Sequence, residues 1–324
     1  MLDCMITVQD LVLARDQNRD YLRREVKRNQ LAKLRRGAYV SPAMQQRLDD
    51  RSIAFDDRIR ALAIAIHAQL RAPHAFSHET AAYLWGLRLW RTPTHVHLRQ
   101  ESGASSHHAP DVRRHVGLLE PLVSIDGLPV TDLIETTIDC LTTLPPLDGL
   151  VLADSALAAG GQMPDLLRCL TGRASSRGQA RARTVLAIAD PGAESVGESW
   201  LRYVCAATGL PRPITQLRVN THLGPYYLDL VWPEYRVWIE FDGAVKYQDE
   251  AFGQNYSGKS ALISEKRRED ALVEALQVQP LRVMANDIRN PSQLASRLLA
   301  RFPLSIRRTC HQRLDLPLPT RWGG

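Results

Sequence analysis

Apolar positions recur along this chain at two spacings, and the change between them marks its elements. From Asn18 to Arg28, Tyr21, Leu22 and Val26 stand at helical spacing while Arg19, Arg23, Arg24 and Lys27 fill the other positions. That pattern predicts a helix with an apolar back and a cationic front, opened by Asn18 as its cap. Val8, Leu11, Val12 and Leu13 predict a shorter helix before it. From Leu31 to Val40 the reading changes to a hairpin, with Gly37 at the turn, Tyr39-Val40 as a short strand and Ser41-Pro42 as its end. Two or three short helices followed by a basic hairpin describe a winged helix-turn-helix. Further on, Phe76 to Leu87 starts on the cap-type Ser77 and stops at Gly86, as a short amphipathic helix does, and His95-Val96-His97-Leu98 alternates as a strand. After the break at Pro191-Gly192, Glu198 opens a helix running to about Thr208. Two extended segments follow, Tyr226 to Trp232 and Val237 to Asp242, joined by Pro233-Glu234-Tyr235-Arg236.

If that connection closes a hairpin, Trp232 meets Val237, and counting outward places Asp229 opposite Glu240 on one face with their Cβ atoms about 5 Å apart. Asp242 follows Glu240 on that face, and Val237, Ile239 and Phe241 take the other. Opposed like charges weaken a sheet unless a cation lies between them. Carboxylate-only ligation is what Mg²⁺ or Mn²⁺ prefers, and such sites serve phosphoryl chemistry. A solvated acidic face is the other reading, and the flanking Tyr, Leu, Val, Trp and Ile count against it. The strand pair His95 and His97 is a weaker metal candidate, because no carboxylate or cysteine stands at a partnering spacing; histidines on a sheet surface are the expectation there.

Composition bounds the answer. With 324 residues, 44% hydrophobic and 23% charged, the chain suits two or three globular domains. The expected divisions are 1–46, 47–172, 173–302 and a basic tail over 303–324. No apolar run approaches the ~18 residues of a spanning helix, and the N-terminus lacks a basic flank leading into an apolar run. The expectation is therefore a cytoplasmic protein with no membrane partner. The five cysteines have no zinc spacing and read as reduced, buried thiols. The net charge is +6, and its position is informative. Nine basic residues against three acidic ones fall between Arg15 and Arg36, so that stretch holds the whole excess. A localised excess of this kind is the electrostatic footprint of a nucleic-acid contact. In a winged helix, Arg19, Arg23, Arg24, Lys27 and Arg28 would face the groove and Lys33, Arg35 and Arg36 the phosphates.

Gln30-Leu31-Ala32-Lys33-Leu34-Arg35-Arg36-Gly37-Ala38-Tyr39-Val40 resembles the winged-helix end of AbiEi-type antitoxins, and the stretch through Asp126 to Thr131 and Ala153 to Leu157 resembles their middle region. From Glu194 to Arg301 the chain resembles the PD-(D/E)XK nucleases, in particular the very-short-patch repair endonucleases. Leu228-Asp229-Leu230, Pro233-Glu234, Ile239-Glu240-Phe241-Asp242-Gly243, the helix Glu265 to Asp270 and the strand Pro280 to Val283 carry that likeness. Together the resemblances imply an α+β and α/β multidomain fold: an N-terminal winged helix-turn-helix, a mixed α/β middle domain and a restriction-endonuclease-like C-terminal domain. They imply Asp229 and Glu240 as holders of Mg²⁺ or Mn²⁺, with Glu198 accessory and Asp242 a further candidate. The superfamily places a lysine two residues after the second acid, where this chain has Asp242, so Lys246 or Lys266 would supply the positive charge. Arg267 and Arg268 would contact phosphate or pack. The implied partner is double-stranded DNA, cut in repair or phage defence. The alternative is a non-enzymatic antitoxin and autorepressor, partnered by a nucleotidyltransferase-like toxin.

Overall fold

The computed structural model describes residues 6–49, 55–102, 109–119, 122–242 and 257–319. The chain divides into two compact units, Met1–Cys140 and Leu141–Gly324. It is mixed α/β, with twelve α-helices and three sheets among the described residues. None of those helices is long and apolar enough to cross a membrane.

The first unit contains β1 (Val12–Leu13), α1 (Arg19–Lys27), β2 (Ala32–Arg35), β3 (Ala38–Val40), α2 (Pro42–Asp49), α3 (Phe55–Gln69), β4 (Ala75–Phe76), α4 (His78–Leu84), β5 (Val96–Gln100), β6 (Val112–Val116), β7 (Leu122–Ile125) and β8 (Leu128–Thr131). Asn18 caps α1 as expected, its side chain accepting from the Asp20 amide at 2.8 Å. Of the apolar back only Leu22 is buried; Tyr21 and Val26 lie largely exposed. The short helix expected around Val12 is instead a strand. Val12 and Leu13 pair with Tyr39 and Ala38, so the backbone edge of β3 wins over helical spacing, and Leu13 is buried by the exchange. Only Val8–Asp10 makes a 3-10 turn there, closed by the Asp10 carboxylate accepting from the Thr7 amide at 2.7 Å. One α-helix therefore precedes the hairpin, and three antiparallel strands in the order β1-β3-β2 form it. Gly37 turns the hairpin at φ +79, in the region that favours glycine.

A five-stranded sheet, β6-β5-β4-β8-β7, makes the rest of this unit, with β5 and β6 parallel and β4 and β8 parallel. Ile6, Leu13, Leu34, Ala38 and Val40 share one core with Ile64 and Ile66 of α3 and with Phe76, Val96, Leu98 and Val130 of that sheet. The division expected at residue 46 thus runs through continuous apolar packing.

The second unit holds α6 (Pro146–Ala158), α7 (Met163–Gly172), α8 (Gln179–Ile188), α9 (Val196–Ala207), β9 (Ile214–Thr221), β10 (Gly224–Trp232), β11 (Val237–Asp242), α10 (Ser257–Leu276), β12 (Leu281–Met284), α11 (Pro291–Ala300) and α12 (Leu304–Thr309). Before them α5 (Leu133–Thr143) spans the point where the two units meet in sequence. The sheet runs β12-β11-β10-β9, antiparallel except for β11 and β12, which α10 links as a parallel crossover. Residues after α12 are not a trailing tail: the Arg313 amide donates to the Ala207 carbonyl at 2.9 Å, Tyr203 donates its hydroxyl to the Pro317 carbonyl at 2.9 Å, and Leu316 is fully buried.

Candidate functional site

The cationic stretch folds into a cleft. Arg19, Arg23 and Lys27 stand one turn apart along α1, and Lys33 approaches from β2. All four line one cavity of about 650 Å³, floored by Leu22, Gly37 and Tyr39. Arg24, Arg28 and Arg36 are exposed beside it. The ion pairs on this helix are surface contacts, Arg23 with Asp20 at 3.9 Å and Arg28 with Glu25 at 3.7 Å, and hold their cations weakly. Arg35 departs from the expected phosphate role. Its guanidinium points inward, donating through Nε to Asp111 at 2.7 Å and also to Gln69, and its side chain is only 11% exposed. Burial pushes the Asp111 carboxyl up, but the hydrogen bond and charge of Arg35 outweigh it and hold the group below the ordinary carboxylate range.

In the second unit the expected hairpin register is present: Trp232 pairs with Val237, Val231 with Trp238 and Leu230 with Ile239. At the next step the ladder changes. Asp229 turns its carboxylate onto the backbone, its Oδ2 accepting from the Phe241 amide at 2.8 Å, and Gln216 on the neighbouring β9 takes a left-handed φ of +48. Leu228 packs with Trp238 and Leu272. Glu240 is buried on the α10 side, which sets aside the reading of a solvated acidic face. Both of its oxygens are taken by Arg268 of α10, at 3.0 and 3.2 Å. Arg268 also donates to the Tyr227 carbonyl at 3.1 Å and lies over the Tyr226 ring, so it is an ion-pair and packing residue. Asp242 faces Arg282 at 3.5 Å, and Arg282 in turn meets Glu265 and Glu269. Two arginines thus answer four carboxylates on this face.

Glu198 lies in the first turn of α9, which Ser195 caps, and is the helix's third residue rather than its first. Its oxygens accept from the Ser195 hydroxyl at 2.7 Å and the Glu194 amide at 2.8 Å, while Ser195 accepts from the Glu198 amide. Burial raises its carboxyl, and the nearby charge of Asp229 adds to the rise. The first turn of α9 is pressed onto β11: a Cβ on Gly197 would fall 2.0 Å from the Phe241 ring. Burial likewise raises the Glu240 carboxyl, with Arg268 opposing. Lys266 is exposed on α10 beside Arg267, which is also exposed, and Lys246 lies outside the described residues. As they stand, the four expected ligands do not fit a magnesium ion. Their oxygens are engaged by arginines and amides, and among the described residues no three carboxylates converge.

The group that does converge was not legible in the sequence. Ligand atoms of His78, His97 and His115 all lie within 4.8 Å of one another. The weaker candidate pair of His95 and His97 is not formed, since His95 precedes β5 and bonds Thr94, and His97 is buried rather than on a sheet surface as expected. His97 and His115 come together because β5 and β6 run parallel with Arg99 beside His115, which sets the two imidazoles diagonally across one face. His78 arrives because the N-terminus of α4 is stitched to β5: the Ser77 amide donates to the His97 carbonyl at 3.2 Å, and the His97 amide donates to Thr80 Oγ1 at 2.9 Å. The junction bends His78 to φ +51, a conformation costing a non-glycine residue about 1–3 kcal/mol. Burial, with the neighbouring His115, pulls the His97 imidazole down to about 3.

No family model matches the chain. Two uncharacterized proteins of Mycobacterium tuberculosis, MT2308 (strain CDC 1551) and Rv2248 (strain H37Rv), are each 31% identical over 124 residues, 38% of this chain and 42% of the relative. The match thus spans less than half the length of those relatives. The crystal structure of RV2827C protein from the same organism aligns over 65% of this chain and 85% of its own, at 16% identity and a TM-score of 0.35.

Proposed function

We propose that this chain is a DNA-binding protein whose cleft between α1 and the β2–β3 hairpin takes the phosphate backbone of the duplex. The observation that carries this reading is the convergence of Arg19, Arg23, Lys27 and Lys33 on one cleft, within a stretch whose excess positive charge equals the net charge of the whole chain. Phosphate contacts from such a set supply affinity and position, while base-edge contacts from the exposed α1 side chains supply sequence preference. The resemblance to antitoxin winged helices points the same way.

The C-terminal sheet enters this reading as a binding platform. Glu240 held by Arg268, and Asp229 held by a backbone amide, are arranged to keep their charges satisfied without an ion. Fluorescence anisotropy of a labelled duplex at low salt tests the proposal. Arg23→Ala with Lys27→Ala should weaken binding at least tenfold, since two phosphate contacts are lost. Absence of duplex binding by the unaltered chain, or binding indifferent to the double substitution, would refute it. Incubation of supercoiled plasmid with Mg²⁺ examines the sheet separately. Nicking that disappears in Asp229→Ala would restore the metal-dependent nuclease in place of the platform.

A further inference from the structure

We propose that His78, His97 and His115 form a binding site for one divalent transition-metal ion, of which Zn²⁺ is the natural occupant by chemistry. Three observations carry it. The first is the donor set: three imidazoles from three separate elements, the start of α4, β5 and β6, meet with ligand atoms within 4.8 Å of one another. Imidazole nitrogen suits zinc, cobalt, nickel and copper and is a poor ligand for magnesium, which selects oxygen.

The second is spacing. His97 Nδ1 and His115 Nε2 lie 3.0 Å apart, and the His78 and His115 rings stack with centroids 3.7 Å apart. Two imidazoles on a tetrahedral zinc, with bonds of 2.0–2.1 Å, hold their nitrogens about 3.3 Å apart, so this pair needs only a few tenths of an ångström of opening. Without an ion, one of the two nitrogens donates its proton to the other. With an ion, both present lone pairs, and the proton moves to the far nitrogen of the same ring, so each imidazole stays neutral.

The third is what stands behind the rings. His97 Nε2 lies 3.5 Å from Glu79 Oε2, and His78 Nδ1 lies 3.5 Å from Asp139 Oδ2 and 3.0 Å from Ser77 Oγ. Carboxylates behind ligating histidines fix the tautomer and raise the basicity of the ligand. Arg99, a buried cation at the site, is matched by Asp139 at 2.5 Å and Glu135 at 3.1 Å, which limits its repulsion of an ion. Three histidines complete only three of the four positions that zinc takes, and the fourth falls to water or an incoming ligand.

The test uses the untagged full-length chain, stripped with a chelator and titrated with Co²⁺. One equivalent should bind with the visible ligand-field bands of a tetrahedral site; Zn²⁺ should abolish the bands and excess Mg²⁺ should not. Substituting the partly exposed ligand, His115→Gln, should remove the bands. Glu79→Gln should weaken Co²⁺ binding about 10–100-fold while leaving the spectrum tetrahedral. His67→Gln, in a separate histidine pair with His74, should change neither. Should His115→Gln fail to fold by circular dichroism, the wild-type titration and Glu79→Gln still decide. Uptake below one equivalent, a spectrum without ligand-field bands, or a folded His115→Gln protein that binds as the wild type does would overturn the proposal.

Discussion

Arg35 and Arg36 are neighbours of the same type in the same basic run, yet their surroundings give them different work. Arg36 is exposed, while Arg35 reaches Asp111 at 2.7 Å, 76 residues away in sequence. Arg35→Ala should therefore lower stability by about 1.5–3 kcal/mol, the worth of a hydrogen bond to a charged group, read as a fall in the denaturation midpoint. It should leave the salt dependence of DNA binding in place. Arg36→Ala should do the reverse. The Asp111 carboxyl sits below its ordinary value when folded, so its contribution is present above the unfolded value of about 3.9 and is lost as pH falls through the folded one. The gap in stability between the wild type and Asp111→Asn should accordingly be full at neutral pH and close below about pH 4. A gap constant down to acid would show that the pair is not what stabilises the site. Nothing near Arg35 in the chain distinguishes it from Arg36; only the tertiary partner does, and for that reason the sequence reading grouped them.

At the scale of elements, what a short loop determines was legible and what a distant strand determines was not. The connection Pro233-Glu234-Tyr235-Arg236 is short enough that hairpin register follows from counting, and the three observed pairs agree with the count. Asn18 and Ser195 cap their helices through side-chain oxygens bonding amides two and three residues on, a purely local matter. Val12-Leu13 had no such local determinant, because its conformation depends on β3, a chain excursion later. The histidine cluster likewise depends on the parallel pairing of β5 with β6, a long-range contact that no spacing in the sequence encodes. The same holds inside the second unit, where α9 is tied to α6 by a buried ion pair. Arg202 donates to Asp154 at 2.5 Å, with side-chain exposures of 4% and 0%. Burial raises the Asp154 carboxyl and Arg202 opposes it, so removing the arginine strands a charge. Arg202→Ala should cost about 3–5 kcal/mol in urea unfolding, whereas Arg202→Met combined with Asp154→Leu should recover most of that loss. A double variant as unstable as the single one would mean that α9 depends on the pair for more than charge balance.

For the whole molecule, the distribution of charge converts a modest +6 into a measurable signature. Because residues 15–36 hold an excess equal to the net charge of the entire chain, the remainder is neutral overall, and DNA affinity should trace to that stretch alone. Each phosphate neutralised by a lysine or arginine releases condensed counterions, contributing about −0.9 to the slope of log affinity against log salt. Contacts from the four cleft residues would give a slope of about −3.6, and the exposed Arg24, Arg28 and Arg36 would steepen it as they engage. Removing Arg23 and Lys27 together should flatten the slope by about 1.8, while removing an exposed cation elsewhere should leave it alone. Arg168 is the suitable control: its side chain is 77% exposed, on the other compact unit, and pairs with the surface Asp165 at 2.7 Å. A nucleic-acid surface spread over both units would instead lose slope in the Arg168→Ala variant as readily as in the cleft. The salt titration of these two variants therefore separates delivery by one cationic cleft from a contact shared along the chain.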